Sequence, residues 1–234
     1  NGAISLLKAM QKARVKTLVF SSSATVYGNP QYLPVDENHP KTPTNPYGNT
    51  KLQIENILYE LSKLESDLNI VCLRYFNPVG AHHSSLIGEN PIGTPNNLMP
   101  YITQVGIGKF KYLKIFGNTY NTVDGTGIRD YIHVMDIAEG HLAALSYILH
   151  KKGWDAINLG SGRGFSVLEV VKAFEFVSNK KIPFKIKEPR SGDIAISYAD
   201  VKKANQKLNW KAKRSLNNMC KSAWNFSKVK NDQV

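Results

Sequence analysis

The sequence predicts an α/β protein with an incomplete doubly wound parallel sheet, followed by a smaller C-terminal α/β domain. Two apolar runs, at 17–20 and 69–76, have the composition of buried strands, and a helical pattern precedes each of them. Near-continuous apolar strands separated by helices are typical of a parallel sheet that helices cover on both faces. Beyond residue 78 the segments are shorter and the loops richer in Gly and Pro. We therefore predict two domains, at 1–78 and 79–234.

The elements of the first domain are predicted in chain order. Apolar residues at helical spacing predict a helix over 2–12, and a strand over 16–23 ends in three serines. A loop over 29–45 precedes a long helix that begins near Pro46, and a buried strand over 69–76 follows it. Because such a pair of strands does not make a stable sheet alone, we expect the sheet to continue in sequence that precedes residue 1.

Local patterns predict two helices in the second domain. One spans about 134–149, and another begins at Ser166, where Ser166 and Glu169 have the spacing of a capping box. The glycines at 160, 162 and 164 imitate a dinucleotide-binding loop, but their spacing is not G-x-G-x-x-G. We interpret them as a turn that leads into this helix.

Charge and cysteine content exclude several classes of protein. The formal charge of +12 comes largely from lysines that alternate with apolar residues, and RNA-binding aromatic motifs are missing, so we expect no nucleic acid partner. The basic surface would favour a phosphorylated substrate. Only Cys72 and Cys220 are present, which indicates neither a disulfide framework nor a zinc site and suits the cytoplasm. No apolar run approaches the ~20 residues of a membrane span.

The strongest local motif lies at the start of the predicted long helix. Asn45 is a suitable N-cap and Pro46 a suitable first residue, so Tyr47 and Lys51 stand one turn apart on one helix face. A phenol is a weak base, but a neighbouring ammonium group favours the phenolate and lowers its pKa. This spacing alone is common on solvated helices. The serines Ser21–Ser23 change the interpretation, because they end the preceding parallel strand, where open α/β sheets bind ligands.

A colinear series of motifs resembles the extended short-chain dehydrogenase/reductase superfamily, with its Rossmann-like sheet, and more narrowly the UDP-glucose 4-epimerase family. The series covers nearly the whole chain. It comprises SSSATVYG at 21–28, NPYGNTK at 45–51, RYFNPVGAH at 74–82, PNNLMPY at 95–101, IFG at 115–117, DGTGIRDYIHVMD at 124–136 and NLGSG at 158–162.

The resemblance implies interconversion of UDP-glucose and UDP-galactose, as in galactose metabolism, by oxidation and re-reduction at the sugar C4 with NAD. Tyr47 would take the proton of the 4-hydroxyl, Lys51 would lower the pKa of Tyr47 and bond the nicotinamide ribose, and Ser23 would hold the 4-oxygen. Tyr75 and Phe76 would line the nicotinamide pocket. The resemblance also implies a homodimer. The nucleotide sugar would contact Asn77, Asn97, Leu98, Phe116, Arg129, Arg190 and Asp193.

Three features depart from this pattern or compete with it. The family's first strand and its Gly-x-x-Gly-x-x-Gly turn are missing, so we expect an N-terminally truncated chain that binds NAD poorly and exposes a sheet edge. Ser197 stands where some family members carry a tyrosine, which predicts that UDP-N-acetylglucosamine and UDP-N-acetylgalactosamine are also accepted. His133, Asp136 and His141 could be combined into a metal site, but packing and hydrogen bonding are the favoured interpretation and no metal is expected.

Two alternative functions stay open. One is a sugar-nucleotide 4,6-dehydratase or decarboxylase of the same superfamily, although Ala24 and Thr25 supply no acid or base after Ser23. The other is a non-catalytic fragment that binds UDP-sugar. The retained Ser23, Tyr47 and Lys51 argue against it.

Overall fold

The computed structural model describes residues 2–231, which form a mixed α/β fold. The helices are α1 Gly2–Lys12, α2 Pro46–Leu64, α3 Leu98–Gly106, α4 Val134–Ile148, α5 Val167–Ser178, α6 Lys202–Leu208 and α7 Leu216–Asn231, with a 3₁₀ helix at Ala24–Tyr27. The strands are β1 Thr17–Ser23, β2 Asn69–Tyr75, β3 Asn77–Val79, β4 Leu113–Phe116, β5 Ile128–His133, β6 Trp154–Leu159, β7 Gly164–Ser166, β8 Phe184–Lys187 and β9 Ile196–Ser197. The predicted α/β class is confirmed.

The chain divides into two compact units that are not continuous in sequence. The first contains the chain up to Tyr75 together with Glu139–Leu159 and Asp200–Lys211, and the second contains the remainder. This division differs from the single boundary predicted after residue 78. The reason is that β6 pairs with β2, so a later segment of the chain completes the first sheet. The assignment of 1–78 to NAD binding and of 79–234 mainly to UDP-sugar binding stays a prediction.

The first unit is built on a three-stranded parallel sheet in the order β1-β2-β6. Alternate residues of a strand point to opposite faces, so one face carries every second side chain. Helices α1 and α2 pack on the face that carries Ile70 and Cys72 of β2. Helix α4 contacts the opposite face through Tyr147, which bonds Asp155 of β6. The apolar cluster under α1 and α2 includes Met10, Leu58, Leu68, Ile70, Cys72 and Ala156. Helices therefore cover both faces, as the doubly wound prediction required.

Burial differs between β1 and β2, which the sequence predicts as buried strands. Ile70, Val71, Cys72 and Leu73 of β2 are all 0% exposed. The apolar residues of β1 are only half-buried. The prediction of a buried strand is thus wrong for the apolar part of β1. The physical reason is its position, because within the described residues β1 pairs with β2 alone and forms the sheet edge.

The second unit combines two small sheets with three helices. In one sheet β5 pairs with β3, β7 and β9, and in the other β4 pairs with β8. The core lies among α3, α5, α7 and these strands. Its buried members include Ile102, Leu113, Ile115, Tyr131, Val170, Phe174 and Met219. Phe174 and Trp224 meet edge to face, with ring centroids 5.6 Å apart.

Local capping explains where two of the helices begin. The Asn45 side chain accepts the Gly48 N–H at 2.8 Å, which satisfies a first-turn donor of α2. Ser166 and Glu169 form both bonds of the predicted capping box at the start of α5. No helix within residues 2–231 combines the length and the apolar content that crossing a membrane requires.

Candidate active site

The carboxyl end of β1 presents Ser23 in a defined orientation. Ser23 is 8% exposed and caps the 3₁₀ helix. Its Oγ accepts hydrogen bonds from the Thr25 backbone N–H at 3.2 Å and from the Thr25 hydroxyl at 2.9 Å. A hydroxyl has two acceptor positions and one donor proton. Both acceptor positions are therefore used, and no acceptor for the Ser23 proton occurs in the described part of the chain. Ser23 is oriented to donate to an external oxygen.

The first two turns of α2 present Tyr47 and Lys51 on one face. Tyr47 is 57% exposed, and the Lys51 Nζ lies 5.6 Å from the centre of the Tyr47 ring. The same ammonium donates to the backbone carbonyl of Ser21 at 2.8 Å and lies 5.1 Å from the Phe20 ring centre. Burial lowers the pKa of Lys51 below its usual range. The helix face thus meets the end of β1, as the motif spacing predicted.

This arrangement has the elements of a proton-transfer site. An exposed phenol can exchange a proton with a bound hydroxyl, and the Lys51 ammonium places a positive charge beside the same ring. Only one of the three N–H groups of Lys51 is engaged by Ser21. Among the described residues no acceptor engages the other two, which leaves them for hydroxyl groups of a ligand.

Tyr75 ends β2, beside Ser23 in the sheet register. Its hydroxyl bonds the Ser21 Oγ at 2.9 Å and the His141 Nε2 at 2.5 Å. Burial raises the pKa of Tyr75, while the hydrogen bond to Ser21 opposes that change. Tyr75 is therefore a protonated, fixed side chain at the strand end. Its bond to His141 was not anticipated from the sequence.

The predicted nucleotide-sugar residues lie in the second unit, and four of them form two local pairs. The Arg190 guanidinium lies 4.0 Å from the centre of the Phe116 ring, so these two predicted ligand contacts are brought together. Arg129 on β5 is paired in register with Ser197 on β9, and its guanidinium donates to the Ile128 carbonyl at 2.9 Å.

Other predicted contacts in this unit have separate surroundings. The Asn97 amide donates to Glu89 at 2.8 Å and precedes Leu98, the first residue of α3. Asp193 closes a turn by donating its N–H to the Arg190 carbonyl at 3.2 Å. Phe76 is buried and Asn77 exposed. The ligand roles of these residues stay predictions.

The three residues considered for a metal site each have their own hydrogen-bond partner. His133 Nδ1 accepts the Met135 N–H at 3.1 Å, and its Nε2 bonds Ser222 at 2.9 Å. Asp136 pairs with Arg214 at 2.6 Å, and His141 bonds Tyr75. Within residues 2–231 no cluster of His, Cys, Asp and Glu has metal-binding geometry.

The glycine-rich segment at 160–164 binds an internal carboxylate. The N–H groups of Ser161 and Gly162 donate to Asp130 at 2.7 and 3.0 Å, and Asp130 is 0% exposed. Burial raises the pKa of Asp130, and these hydrogen bonds oppose the change. The segment is thus a turn held by β5, in agreement with the prediction.

A buried polar network lies beside the serines and was not predicted from the sequence. Glu55 and Arg74 are each 1% exposed and form a bidentate ion pair, with bonds of 3.0 and 2.6 Å. Ser22 donates to the same carboxylate at 2.5 Å. The available signal was the spacing of Tyr47, Lys51 and Glu55, which are successive positions four residues apart on one helix face.

Known proteins share both the sequence and the fold. The profile of the GDP-mannose 4,6 dehydratase family matches residues 1–223. The UDP-glucose 4-epimerase of Bacillus subtilis is 54% identical over 225 residues, covering 96% of this chain and 66% of that protein. The enzyme of Dictyostelium discoideum is 55% identical over 229 residues, covering 97% of this chain and 67% of its own length. The chain belongs to the UDP-glucose 4-epimerase family.

A solved structure of this family extends the match to three dimensions. The UDP-glucose 4-epimerase of Stenotrophomonas maltophila, crystallised with bound NAD and formylated UDP-arabinopyranose, superposes with a TM-score of 0.97 at 49% identity. The match covers 100% of this chain and 69% of that structure. The chain therefore spans about two thirds of the length of the epimerases that it matches.

Proposed function

We propose that this chain carries the proton-transfer and sugar-binding parts of an NAD-dependent UDP-glucose 4-epimerase, which interconverts UDP-glucose and UDP-galactose. The observation that carries the proposal is the position of the Lys51 ammonium, which contacts both the Tyr47 ring and the Ser21 carbonyl. Family membership at more than half identity supports the same reaction. Because the chain spans about two thirds of its relatives, catalysis by this chain is itself part of the proposal.

The residues near the strand ends are suited to hold the nicotinamide half of NAD. Lys51 has two unengaged N–H donors for ribose hydroxyls, and Tyr75 presents a ring fixed at its hydroxyl. Ser23, Tyr47 and Phe76 complete the proposed set of cofactor contacts. Bound NAD would supply reversible hydride transfer at the sugar C4.

Each catalytic side chain then has one task. Tyr47 takes the proton of the 4-hydroxyl and later returns it, since its phenol is exposed at the start of α2. Lys51 holds its positive charge beside the Tyr47 ring, where negative charge develops during the proton transfer. Ser23 donates its hydroxyl proton in a hydrogen bond to the 4-oxygen, because Thr25 already occupies its acceptor positions.

The second unit would bind the nucleotide. Arg190 and Arg129 are proposed for the diphosphate, because guanidinium groups bind phosphate oxygens in a planar, bidentate manner. Phe116 is proposed near the uracil, and Asp193 at a ribose hydroxyl. Asn77, Asn97 and Leu98 are proposed contacts of the UDP-sugar.

Separate titrations of NAD and UDP test the proposal. We expect calorimetric binding of both ligands and conversion of UDP-galactose to UDP-glucose when NAD is added. UDP binding without NAD binding or turnover would instead identify a non-catalytic UDP-sugar binder. Binding of neither ligand contradicts both functions.

A sugar-nucleotide 4,6-dehydratase is the second candidate, because the matching family profile carries that name. It is disfavoured since Ala24 and Thr25 follow Ser23, and the Thr25 hydroxyl is already donated to Ser23. Mass spectrometry of the product separates the two reactions, because dehydration removes one water and epimerisation leaves the mass unchanged.

Substrate range is a further part of the proposal. Ser197 is a small residue beside Arg129 in the sheet register, so we expect UDP-N-acetylglucosamine and UDP-N-acetylgalactosamine to be turned over. In the Ser197→Tyr variant we expect turnover of the N-acetylated pair to fall about tenfold or more, and that of UDP-glucose to change little. Failure of the parent chain to turn over the N-acetylated pair would contradict this expectation.

The cellular form is proposed as a cytoplasmic homodimer. Both cysteines are buried free thiols, which suits a reducing compartment. Ile4 and Leu6 on α1 and Leu64 on α2 are 48, 50 and 81% exposed, and a second copy would cover such apolar residues. Light scattering after size-exclusion chromatography measures the oligomeric state directly, and a monomer at micromolar concentration would contradict the dimer.

A further inference from the structure

We infer that Glu55, Arg74 and Tyr27 are positioning residues, which fix the end of β1 and the start of α2 so that Ser23, Tyr47 and Lys51 keep their mutual geometry. The inference rests on the proposed function. None of the three residues is proposed to touch a ligand. Their role follows from a chain of buried hydrogen bonds that joins five elements of the first unit.

The carboxylate of Glu55 is the centre of this series of hydrogen bonds. One oxygen accepts from Ser22 at 2.5 Å and from the Arg74 Nε at 3.0 Å, and the other accepts from the Arg74 Nη2 at 2.6 Å. Ser22 is the direct neighbour of Ser23, and Glu55 lies one helical turn beyond Lys51. The carboxylate therefore ties the strand end to the helix face that carries Lys51.

Arg74 and Tyr27 extend this series of hydrogen bonds across the sheet. The Arg74 Nη1 donates to the Tyr27 hydroxyl at 2.9 Å, and Tyr27 donates to the Asn158 Oδ1 at 2.6 Å. Burial raises the pKa of Tyr27, which keeps this hydroxyl protonated. Asn158 in turn donates its side-chain amide to the Val35 carbonyl at 3.0 Å. The 3₁₀ helix that follows Ser23 is thereby fixed to β2 and β6.

A contribution to stability alone does not explain why Glu55 and Arg74 are both charged residues at buried positions. A buried ion pair costs so much desolvation that well-packed apolar residues of similar volume often replace it without loss of stability. Directional bonds, in contrast, specify one arrangement of the elements that they join. A displacement of about 1 Å at a catalytic group can cost about a hundredfold in rate. Positioning is the property that an apolar replacement cannot reproduce.

The test compares two double variants of the full chain. Glu55→Met/Arg74→Met replaces the buried pair by apolar side chains, and Glu60→Met/Lys63→Met removes an exposed pair on the same helix. We measure the melting temperature, hydrogen exchange of residues 21–28 and 45–52, and kcat and KM with UDP-galactose and NAD.

We expect the buried-pair variant to melt near the parent temperature. Its exchange at 21–28 should be about tenfold faster, whereas exchange in α7 should not change. Its kcat should fall about a hundredfold with KM changed less than about threefold. The exposed-pair variant should match the parent in all measurements. Parent-like exchange at 21–28 in a stable buried-pair variant would overturn the inference.

The inference can still be tested if the double variant does not fold or if the parent chain is inactive. If the double variant does not fold, the single variant Tyr27→Phe takes its place, because it removes only one hydroxyl from the series of hydrogen bonds. Faster hydrogen exchange at 21–28 in folded Tyr27→Phe supports the inference. Unchanged exchange there overturns it. If the parent chain has no epimerase activity, the proposed function of this chain fails. The exchange comparison then still decides whether the buried pair orders the strand end.

Discussion

Helix α2 carries two Tyr-x-x-x-Lys pairs, and only one of them lies at the candidate site. Tyr47 and Lys51 occupy the first turns, and Tyr59 and Lys63 occupy the last turns. The two tyrosines are 57 and 42% exposed, and the lysine ammonium groups lie 5.6 and 4.0 Å from the respective ring centres. Sequence spacing and local geometry thus do not separate the two pairs.

Their surroundings separate them. Lys51 donates to the Ser21 carbonyl and carries a lowered pKa because of burial. Lys63 forms a salt bridge with Glu60 at 3.2 Å, and this hydrogen bond raises its pKa. Tyr59 packs on Trp154, with ring centroids 5.3 Å apart. A tyrosine and lysine on one helix face become a candidate site only where a strand end adds polar groups and no carboxylate already pairs with the ammonium.

The largest expected effect tests this distinction by catalysis. Tyr47→Phe removes the phenol that exchanges a proton with the substrate, so we expect turnover of UDP-galactose to fall about 10²–10⁴-fold. Tyr59→Phe is the matched control on the same helix and should leave turnover unchanged. Both residues are exposed, so circular dichroism should give the same melting temperature for both variants. Equal turnover in the two variants would contradict the assignment of Tyr47, and not Tyr59, as the proton-transfer residue.

The next effect concerns the buried Glu55–Arg74 ion pair, which is inferred to position Tyr47 and Lys51. Arg74→Met leaves the Glu55 carboxylate buried without its partner, so we expect the free energy of unfolding to fall by about 3–5 kcal/mol. Lys63→Met removes an exposed charge and should leave the free energy of unfolding nearly unchanged. Urea denaturation followed by tryptophan fluorescence measures both values. Comparable small losses would mean that the network near Lys51 is no more tightly held than the exposed pair.

The smallest effect is the pH dependence of stability, and its sign differs between the two lysines. Burial lowers the pKa of Lys51 in the folded chain, so protonation disfavours folding, and its contribution to stability rises with pH up to about 10.4. The Glu60 hydrogen bond raises the pKa of Lys63, so its contribution is complete below about 10.4 and is lost as pH rises through the raised pKa.

Unfolding free energies of the parent, Lys51→Met and Lys63→Met between about pH 9 and 12 measure these slopes. The parent should gain stability relative to Lys51→Met as pH rises towards about 10.4. It should lose stability relative to Lys63→Met above that pH. The same sign in both differences would contradict the assigned surroundings of the two ammonium groups.

Local sequence patterns predicted many of the elements and part of the site. The Asn45 cap, the Pro46 helix start and the Ser166 capping box depend on neighbours within a few residues, so spacing alone identified them. The buried strand β2 followed from its apolar run. The half-exposure of β1 did not, because an edge strand and a central strand can have the same composition and differ only in how many neighbours they pair with.

The sequence by itself determined the α/β class, the common helix face of Tyr47 and Lys51, and the serines at the end of β1. These features are set by backbone periodicity and by order along the chain. Only the tertiary structure decided that Glu55 meets Arg74, that Thr25 directs the Ser23 proton outward, and that β6 completes the first sheet. Such contacts join residues through the packing of separate elements, and burial gives a side chain a charge environment that its sequence neighbours do not encode.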